Sequence, residues 1–294
     1  MVAGQSGAVR PVPISNTVVN RPCDLICTDE KSGRSGRWQP FIVIFIFMSI
    51  QFVVNEPALL YRKILAIADL HLGYEYELAQ AGIRIPNQTK NIITHIKNLI
   101  EESGAKRLVI VGDIKHHIPG LSYHDFRDIP NFFDEITEYT EVFVVKGNHD
   151  GDIEKMLPSS VVVYKQEGFR MGDIGFFHGN VWPEKKLLKA KYLAYGHLHP
   201  LIKIASGKAV FTEKCWVIAA LNKQRMQARY KARCSTEKIV FIPAFNPLLG
   251  GKAINDKNFN TAAPLITSRI INIKGGAIYL LDGTSLCTLR DIIL

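Results

Sequence analysis

The sequence predicts an α/β fold in which two mixed β-sheets pack together and helices flank them outside. Three observations predict it. Short, wholly apolar runs recur along the chain, the pattern of strands buried on both faces. In the front half these runs alternate with segments of helical period, which implies parallel sheet under helical cover. The back half is richer in strands and poor in long helices.

Lys63–Ala68 is the first buried strand, and it stops at Asp69. Residues 88–103 place Ile92, Ile93, Ile96, Leu99 and Ile100 at helical spacing, with Gly104 as the closing glycine. Leu108–Val111 forms the next strand and ends at Gly112-Asp113. Residues 122–140 are expected to be helical but interrupted at Pro130. Glu141–Val145 is a third strand, ending at Gly147-Asn148-His149-Asp150. Val161–Val163 and Phe169–Phe177 read as antiparallel strands, with a turn at Gly172-Asp173, and the second stops at His178. Tyr192–Tyr195 ends at Gly196-His197-Leu198-His199. Residues 200–294 read as strands that complete the sheets.

Five apolar runs therefore end on residues that bind metals: Asp69 with His71, Asp113, Asn148 with His149, His178, and His197 with His199. Ligands in open α/β sheets bind beyond the carboxyl ends of strands, so these residues converge although far apart in sequence. The His-x-His pair places both imidazoles on one face. Carboxylate, amide and imidazole donors suit manganese, iron or zinc, and two divalent cations are expected, manganese first, with magnesium a further alternative. Hydrolysis of a phosphate ester needs a nucleophile at neutral pH and relief of charge on the phosphoryl oxygens, and a metal pair supplies both.

The series Asp69-x-His71, Gly112-Asp113, Gly147-Asn148-His149-Asp150, His178 and Gly196-His197-x-His199 resembles the motif set of the calcineurin-like metallophosphoesterases. Asp69-Leu70-His71-Leu72-Gly73, Gly112–His116 and Pro243–Gly251 resemble, more narrowly, archaeal phosphoesterases related to SbcD-type nucleases and to bacterial phosphoesterases encoded beside DNA ligases. The resemblance spans residues 48–294 and implies a four-layer α-β-β-α sandwich. It also implies that Asp69, His71, Asp113 and His199 hold one metal, and that Asp113 bridges to a second held by Asn148, His178 and His197. By the same resemblance the nucleophile is a metal-bridging hydroxide. His149 contacts the scissile phosphate and protonates the leaving oxygen, and Asp150 orients its imidazole. Lys115 departs from the family pattern and reads either as a contact to substrate phosphate or as a solvated loop lysine. His116 and His117 are not taken as ligands, and His95 and His124 read as ordinary polar positions.

Composition limits the remaining classes. The chain has 294 residues and a formal charge of +9. Residues 203–238 hold nine Lys/Arg against two Glu. This basic segment, with Arg225 and Arg229 as candidate substrate contacts, reads as a nucleic-acid footprint or as an exposed basic loop between strands. Five cysteines, an odd number without Cys-x-x-Cys spacing, do not read as a disulfide framework and argue against a thiolate zinc site, so the cytoplasm is the expected compartment. Residues 1–40 lack any period and read as disordered. The apolar run Phe41–Met48 is too short for a membrane helix and precedes no signal cleavage site. Met48 is read as the true start, with 1–47 an upstream extension and 48–294 one domain.

The leading function is hydrolysis of phosphodiester bonds in nucleic acid or nucleotides. A small-molecule phosphomonoesterase or cyclic-nucleotide phosphodiesterase is the second reading. A noncatalytic scaffold of the same fold is the third, and the complete ligand set argues against it.

Overall fold

The computed structural model describes residues 50–206, 209–257, 259 and 261–292. The expected extension at 1–47 and the start at Met48 lie outside them. The first sheet contains β1 (Ile50–Phe52), β2 (Leu59–Tyr61), β3 (Ile64–Ala68), β4 (Arg107–Val111), β5 (Glu141–Val145) and β6 (Val162–Tyr164), in that spatial order. The first three form an antiparallel meander. From β3 to β6 every pairing is parallel. Parallel neighbours need a crossover, and helices α1 (Tyr74–Gln80), α2 (Thr89–Ser103) and α3 (Tyr123–Thr137) supply the first two.

The second sheet contains β7 (Phe169–Met171), β8 (Ile174–Phe177), β9 (Tyr192–Tyr195), β10 (Leu201–Ser206), β11 (Ala209–Ala220), β12 (Lys238–Phe241), β13 (Ala277–Leu280) and β14 (Ser285–Thr288). Its order is β14-β13-β11-β12-β9-β8-β7, with β10 paired to β11. Strands β8, β9 and β12 are mutually parallel.

The apolar runs are continuous because both faces of each central strand are covered. In β3, Leu65 and Ile67 point into the core beneath α2 and α3, while Ile64, Ala66 and Ala68 point at the other sheet. In β4, Leu108 and Ile110 face the helices and Val109 and Val111 face the other sheet. Strand β9 divides the same way, with Leu193 and Tyr195 outward and Tyr192 and Ala194 between the sheets. This is the two-residue period of a strand with apolar residues on both sides. The outer face of the second sheet is covered by short turns, loops and helix α4 (Lys223–Tyr230), so only the first sheet carries long helices.

Two expectations need correction. Helix α3 runs unbroken through Pro130. An interior proline costs about 3 kcal/mol. Ile129, Phe132, Phe133 and Ile136 are fully buried on the same helix, and each buried side chain returns about 1.5–3 kcal/mol. Tertiary packing therefore outweighs the local penalty. Val162–Tyr164 is not paired with Phe169–Phe177. It closes the first sheet in parallel with β5, whereas Phe169–Met171 and Ile174–Phe177 form their own hairpin, turning at Gly172-Asp173, in the second sheet.

The sheets are pinned together by Trp216 of β11, whose ring stacks on Phe52 of β1 at 4.1 Å and 7°. Trp216 is fully buried. Replacing it with Ala is expected to cost about 3–5 kcal/mol of unfolding free energy. Urea denaturation followed by circular dichroism checks this, and a loss under 1 kcal/mol (about a fivefold change in the unfolding constant) would contradict the assigned role of the contact.

Candidate metal centre

Every ligand-type residue leaves the carboxyl end of a strand. Asp69 and His71 follow β3, Asp113 follows β4, Asn148 and His149 follow β5, His178 follows β8, and His197 and His199 follow β9. Parallel pairing in each sheet brings these ends to one edge. The side chains then meet across the gap between the sheets. His178 Nε2 lies 3.2 Å from Asp113 Oδ2, and the His197 amide donates to the Asp69 carboxylate at 3.1 Å.

The backbone must turn sharply off each strand to aim these side chains inward. Asp69, His71, Asp113, His197 and His199 all adopt left-handed conformations, with φ between 41° and 68°. Such a residue costs roughly 1–2 kcal/mol against its ordinary conformation. Hydrogen bonds between loops hold the turns, including Asp69 N to Gly112 O at 3.1 Å and His71 N to Asp113 O at 2.8 Å. Two glycines make room. A Cβ at Gly112 would sit 2.0 Å from His178 Nδ1, and one at Gly147 would sit 2.0 Å from Asp113 Oδ1.

Three clusters of potential ligands result, each with its ligand atoms within 4.8 Å of one another. His71, His116 and His149 form an all-imidazole cluster. The two triads that contain a carboxylate are Asp69, His71 and His199, and Asp113, His178 and His197. Asp113 stands between them, because its Oδ2 is also 3.5 Å from His71 Nε2. Asn148 joins the second triad with Oδ1 3.2 Å from His178 Nε2. The Nε2 atoms of His71 and His199 are buried and make no hydrogen bond. A buried nitrogen without a partner is destabilising, and a cation would satisfy both. Oxygen and imidazole donors without thiolate suit borderline divalent cations, so the residues fit a metal pair.

Charge distribution follows from burial and proximity. Burial pushes the Asp113 carboxyl up, but His178 and His71 overcome it and hold the group below the usual carboxylate range. Burial likewise opposes ionisation of Asp69, and His199 and His178 prevail. Burial pushes His178 down, yet Asp113 and Asp69 raise it to about 9. Burial dominates at His71 and His197, which fall to about 3 and about 4. Burial also pushes His199 down, but Asp69 overcomes it and holds the imidazole above its ordinary range. At neutral pH the site thus holds two carboxylates, a protonated His178, and neutral imidazoles at His71 and His197 with lone pairs to donate.

His149 has its ring 4.7 Å from that of His71. Its Nδ1 lies 2.7 Å from the carbonyl oxygen of His116, which can only accept, so Nδ1 carries the proton and Nε2 remains available. Asp150, expected to orient this ring, makes no hydrogen bond to it. Its buried carboxylate accepts from the amides of Ile114 at 2.8 Å, Lys115 at 3.2 Å and Gly147 at 2.8 Å, tying the loop after β4 to the loop after β5. Burial, with Asp113 adding to it, raises Asp150 to about 6. Lys115 is also not a solvated loop residue. It is 1% exposed, and its ammonium donates to the carbonyls of His117 and Gly120.

Sequence reasoning missed three participants. The His116 ring lies between His71 Nδ1, at 3.1 Å, and Glu77 Oε2 of α1, at 2.5 Å. With both rings neutral, His116 donates from Nε2 to Glu77 and accepts at Nδ1 from His71, which leaves the His71 Nε2 lone pair for a metal. Nothing local in His116-His117 shows which ring turns inward. The third is Lys214, whose Nζ donates to the carbonyls of Ala244 and Asn246 at 2.7 Å, and burial pushes it down to about 8. That contact secures the loop 243–251, where Asn246 donates to Leu70 O at 2.8 Å and Phe245 N to Ala68 O at 2.8 Å.

The remaining candidates lie elsewhere. Arg225 and Arg229 belong to α4, which follows the C-terminal end of β11. That end pairs with Lys238 of β12, and Lys238 pairs with Tyr192, the first residue of β9. Both arginines therefore sit at the end of the second sheet opposite His197 and His199. Arg225 Nη1 donates to Ser268 O at 3.0 Å, and Arg229 stacks over Trp182 at 3.4 Å. His95 pairs with Glu56 at 2.7 Å, and His124 stacks on Tyr76 at 3.5 Å.

The sequence profile of the calcineurin-like phosphoesterases matches residues 62–208, half of the chain, and the chain belongs to that family. No curated protein matches it. Among solved structures, the nuclease MPE of Pseudomonas putida shares the fold at a TM-score of 0.51 and 18% identity, over 81% of this chain and 94% of that one. YfcE, a phosphoesterase from E. coli, aligns at a TM-score of 0.35 and 16% identity, over 79% of this chain and 99% of that one.

Two outcomes are expected. Metal ligation needs a neutral His178. Manganese binding to this triad should release about one proton per ion at pH 7, falling to about half near pH 9. Calorimetric titration in two buffers of different ionisation enthalpy measures this, and buffer-independent heats at pH 7 would refute it. Separately, Gly147→Ala should displace Asp113 and weaken manganese binding by about tenfold or more, read by bound metal after gel filtration, with the circular dichroism spectrum preserved.

Proposed function

We propose that this chain is a binuclear metal-dependent phosphodiesterase acting on nucleic acid or nucleotides. The observation that carries the reading is the pair of Asp/His triads on either side of Asp113, with His149 beside them. When bound, two divalent cations, manganese in the first place, neutralise phosphoryl oxygens and acidify water enough for attack at neutral pH. Asp69, His71, Asp113 and His199 would hold one, and Asp113, Asn148, His178 and His197 the other.

The chain's own residues supply the rest. Asp69 and Asp113 stay ionised at neutral pH because neighbouring imidazoles hold them so. The His116 carbonyl fixes the His149 ring through Nδ1–H; only the imidazolium form, with a second proton on Nε2, can pass that proton to the departing oxygen, and the ring is then left neutral with Nδ1–H still held. Asp150 keeps the loops bearing Asp113 and His149 in register. The diester and nucleic-acid preference is supported by the nuclease that shares the fold. The motif 69–73 and the loop 243–251 support a place among the archaeal SbcD-related phosphoesterases. Free thiols at Cys215 and Cys234 support a cytoplasmic setting, and among the described residues no helix is long and apolar enough to cross a membrane.

Bis-p-nitrophenyl phosphate and p-nitrophenyl phosphate, assayed with added manganese, test the reading. Faster turnover of the diester, abolished by Asp113→Ala, is expected. Monoester preference would redirect the search to small molecules, and no turnover of either with metal bound would leave a scaffold. His149→Ala should lower kcat by about 10²–10⁴-fold while manganese content stays unchanged. Unchanged kcat would remove His149 from the chemistry.

A further inference from the structure

A basic surface lies away from the metal centre. Segments 182–191 and 223–233 together hold nine Lys/Arg and one acidic residue, Glu184. The fold brings them side by side. The amide of Ser235 donates to Leu188 O at 2.8 Å, Tyr230 Oη donates to Pro183 O, and Arg229 lies over the Trp182 ring. Between them is a cavity of about 550 Å³, with Lys185, Lys186 and Lys189 on one wall and Arg233 on the other. All four cations are exposed. Glu184 pairs with Lys186 at 3.1 Å, and the nearby Glu237 with Lys191 at 3.7 Å. Among the described residues no carboxylate pairs with Lys185, Lys189 or Arg233.

We infer that this face is a second polyanion-binding surface, which holds the phosphate backbone of a nucleic acid remote from the hydrolytic centre. The choice of nucleic acid rests on the proposed function. It is remote because the turn Lys185–Lys189 precedes β9 while His197 and His199 follow it. The four residues of β9 alone separate the two by about 13 Å at 3.3 Å per residue. The chemistry favours backbone over base. Trp182 is covered by Arg229 and so offers that face to a guanidinium instead of a nucleobase, and Leu187 and Leu188 are buried, leaving little apolar surface to enter a lipid bilayer. Unpaired cations around an open cavity suit phosphates, whose binding releases counterions and reads no sequence. Such a surface raises the local concentration of a long substrate without touching the scissile bond, so it should serve polymers and be silent for small esters.

The test uses the full chain carrying Asp113→Ala, so that substrate is not consumed. Anisotropy of a labelled single-stranded DNA is measured against KCl concentration, without and with Lys185→Glu, Lys189→Glu and Arg233→Glu together. The triple change should weaken binding at low salt by about tenfold or more and flatten the log–log salt dependence by about 2, at roughly 0.7 per phosphate contact. The same three positions changed to Gln should give a smaller loss in the same direction. In the otherwise unaltered protein, turnover of bis-p-nitrophenyl phosphate should not change with either triple variant, which also reports that the fold is intact. Unaltered DNA affinity and salt slope in both triple variants would overturn the proposal. So would selective loss of binding to phosphatidylserine vesicles or to poly-glutamate with no DNA binding by the parent. If the unaltered protein cleaves neither nitrophenyl ester yet its DNA affinity depends on these residues, the catalytic reading falls and the surface stands.

Discussion

The Asp113 carboxylate is the point on which the two sheets depend. It ends β4, accepts the amide of His149 at 2.9 Å from the loop after β5, and faces His178 from the second sheet at 3.2 Å. Three chain segments that are distant in sequence therefore share one buried group. Gly147 is required beside it, because any side chain there would occupy the carboxylate's position. An ionised carboxylate in a dry interior is costly unless it is paired, and the protonated His178 at 3.2 Å provides that pairing. Imidazoles of both triads stand on either side of the group, with His71 Nε2 at 3.5 Å and His178 Nε2 at 3.2 Å.

Local strain and global packing balance around this edge. Five site residues adopt the left-handed conformation that L-residues avoid. They are held by loop-to-loop hydrogen bonds, by the amide contacts of Asp150, and by the strap 243–251 that Lys214 secures from β11. Behind them lie three apolar layers, one under α2 and α3, one between the sheets and one outside the second sheet. The strands are rigid because both faces are buried, and that rigidity fixes where each strand end delivers its ligand. The ligands themselves vary in protonation. Burial keeps His71 and His197 neutral, whereas the two carboxylates keep His178 charged.

Charge is segregated along the strand direction. The anionic carboxylates gather at the carboxyl ends of β3 and β4, facing the imidazoles after β8 and β9. Lys185, Lys189 and Arg233 gather at the opposite end of β9. The basic segment noted in the sequence contributes only part of this second pole. Its early residues form the β10–β11 hairpin, and the lysines preceding β9, which lie outside the segment, complete the surface. Under the proposed function, a polymer substrate would meet two separate features, the candidate metal centre and the basic face.

The buried strands, helix α2 and the His/Asp residues at strand ends are legible in the amino-acid order alone. Apolar runs, helical period and His/Asp motifs are local signals, and both faces of the central strands are buried, so the signal is strong. Helices α1 and α4 and strands β1 and β2 are too short or too weakly patterned to stand out. Only the tertiary structure decided that Val162–Tyr164 joins the first sheet, since an apolar triplet carries no information about its neighbour. Only packing kept α3 straight through Pro130. The roles of Asp150, Lys115, His116 and Lys214 were likewise illegible, because each depends on a partner more than thirty residues away or on which way a loop turns. Arg225 and Arg229 show the same limit: charge is written in the sequence, but which end of a sheet receives it is set by strand direction, and strand direction exists only after the chain has folded.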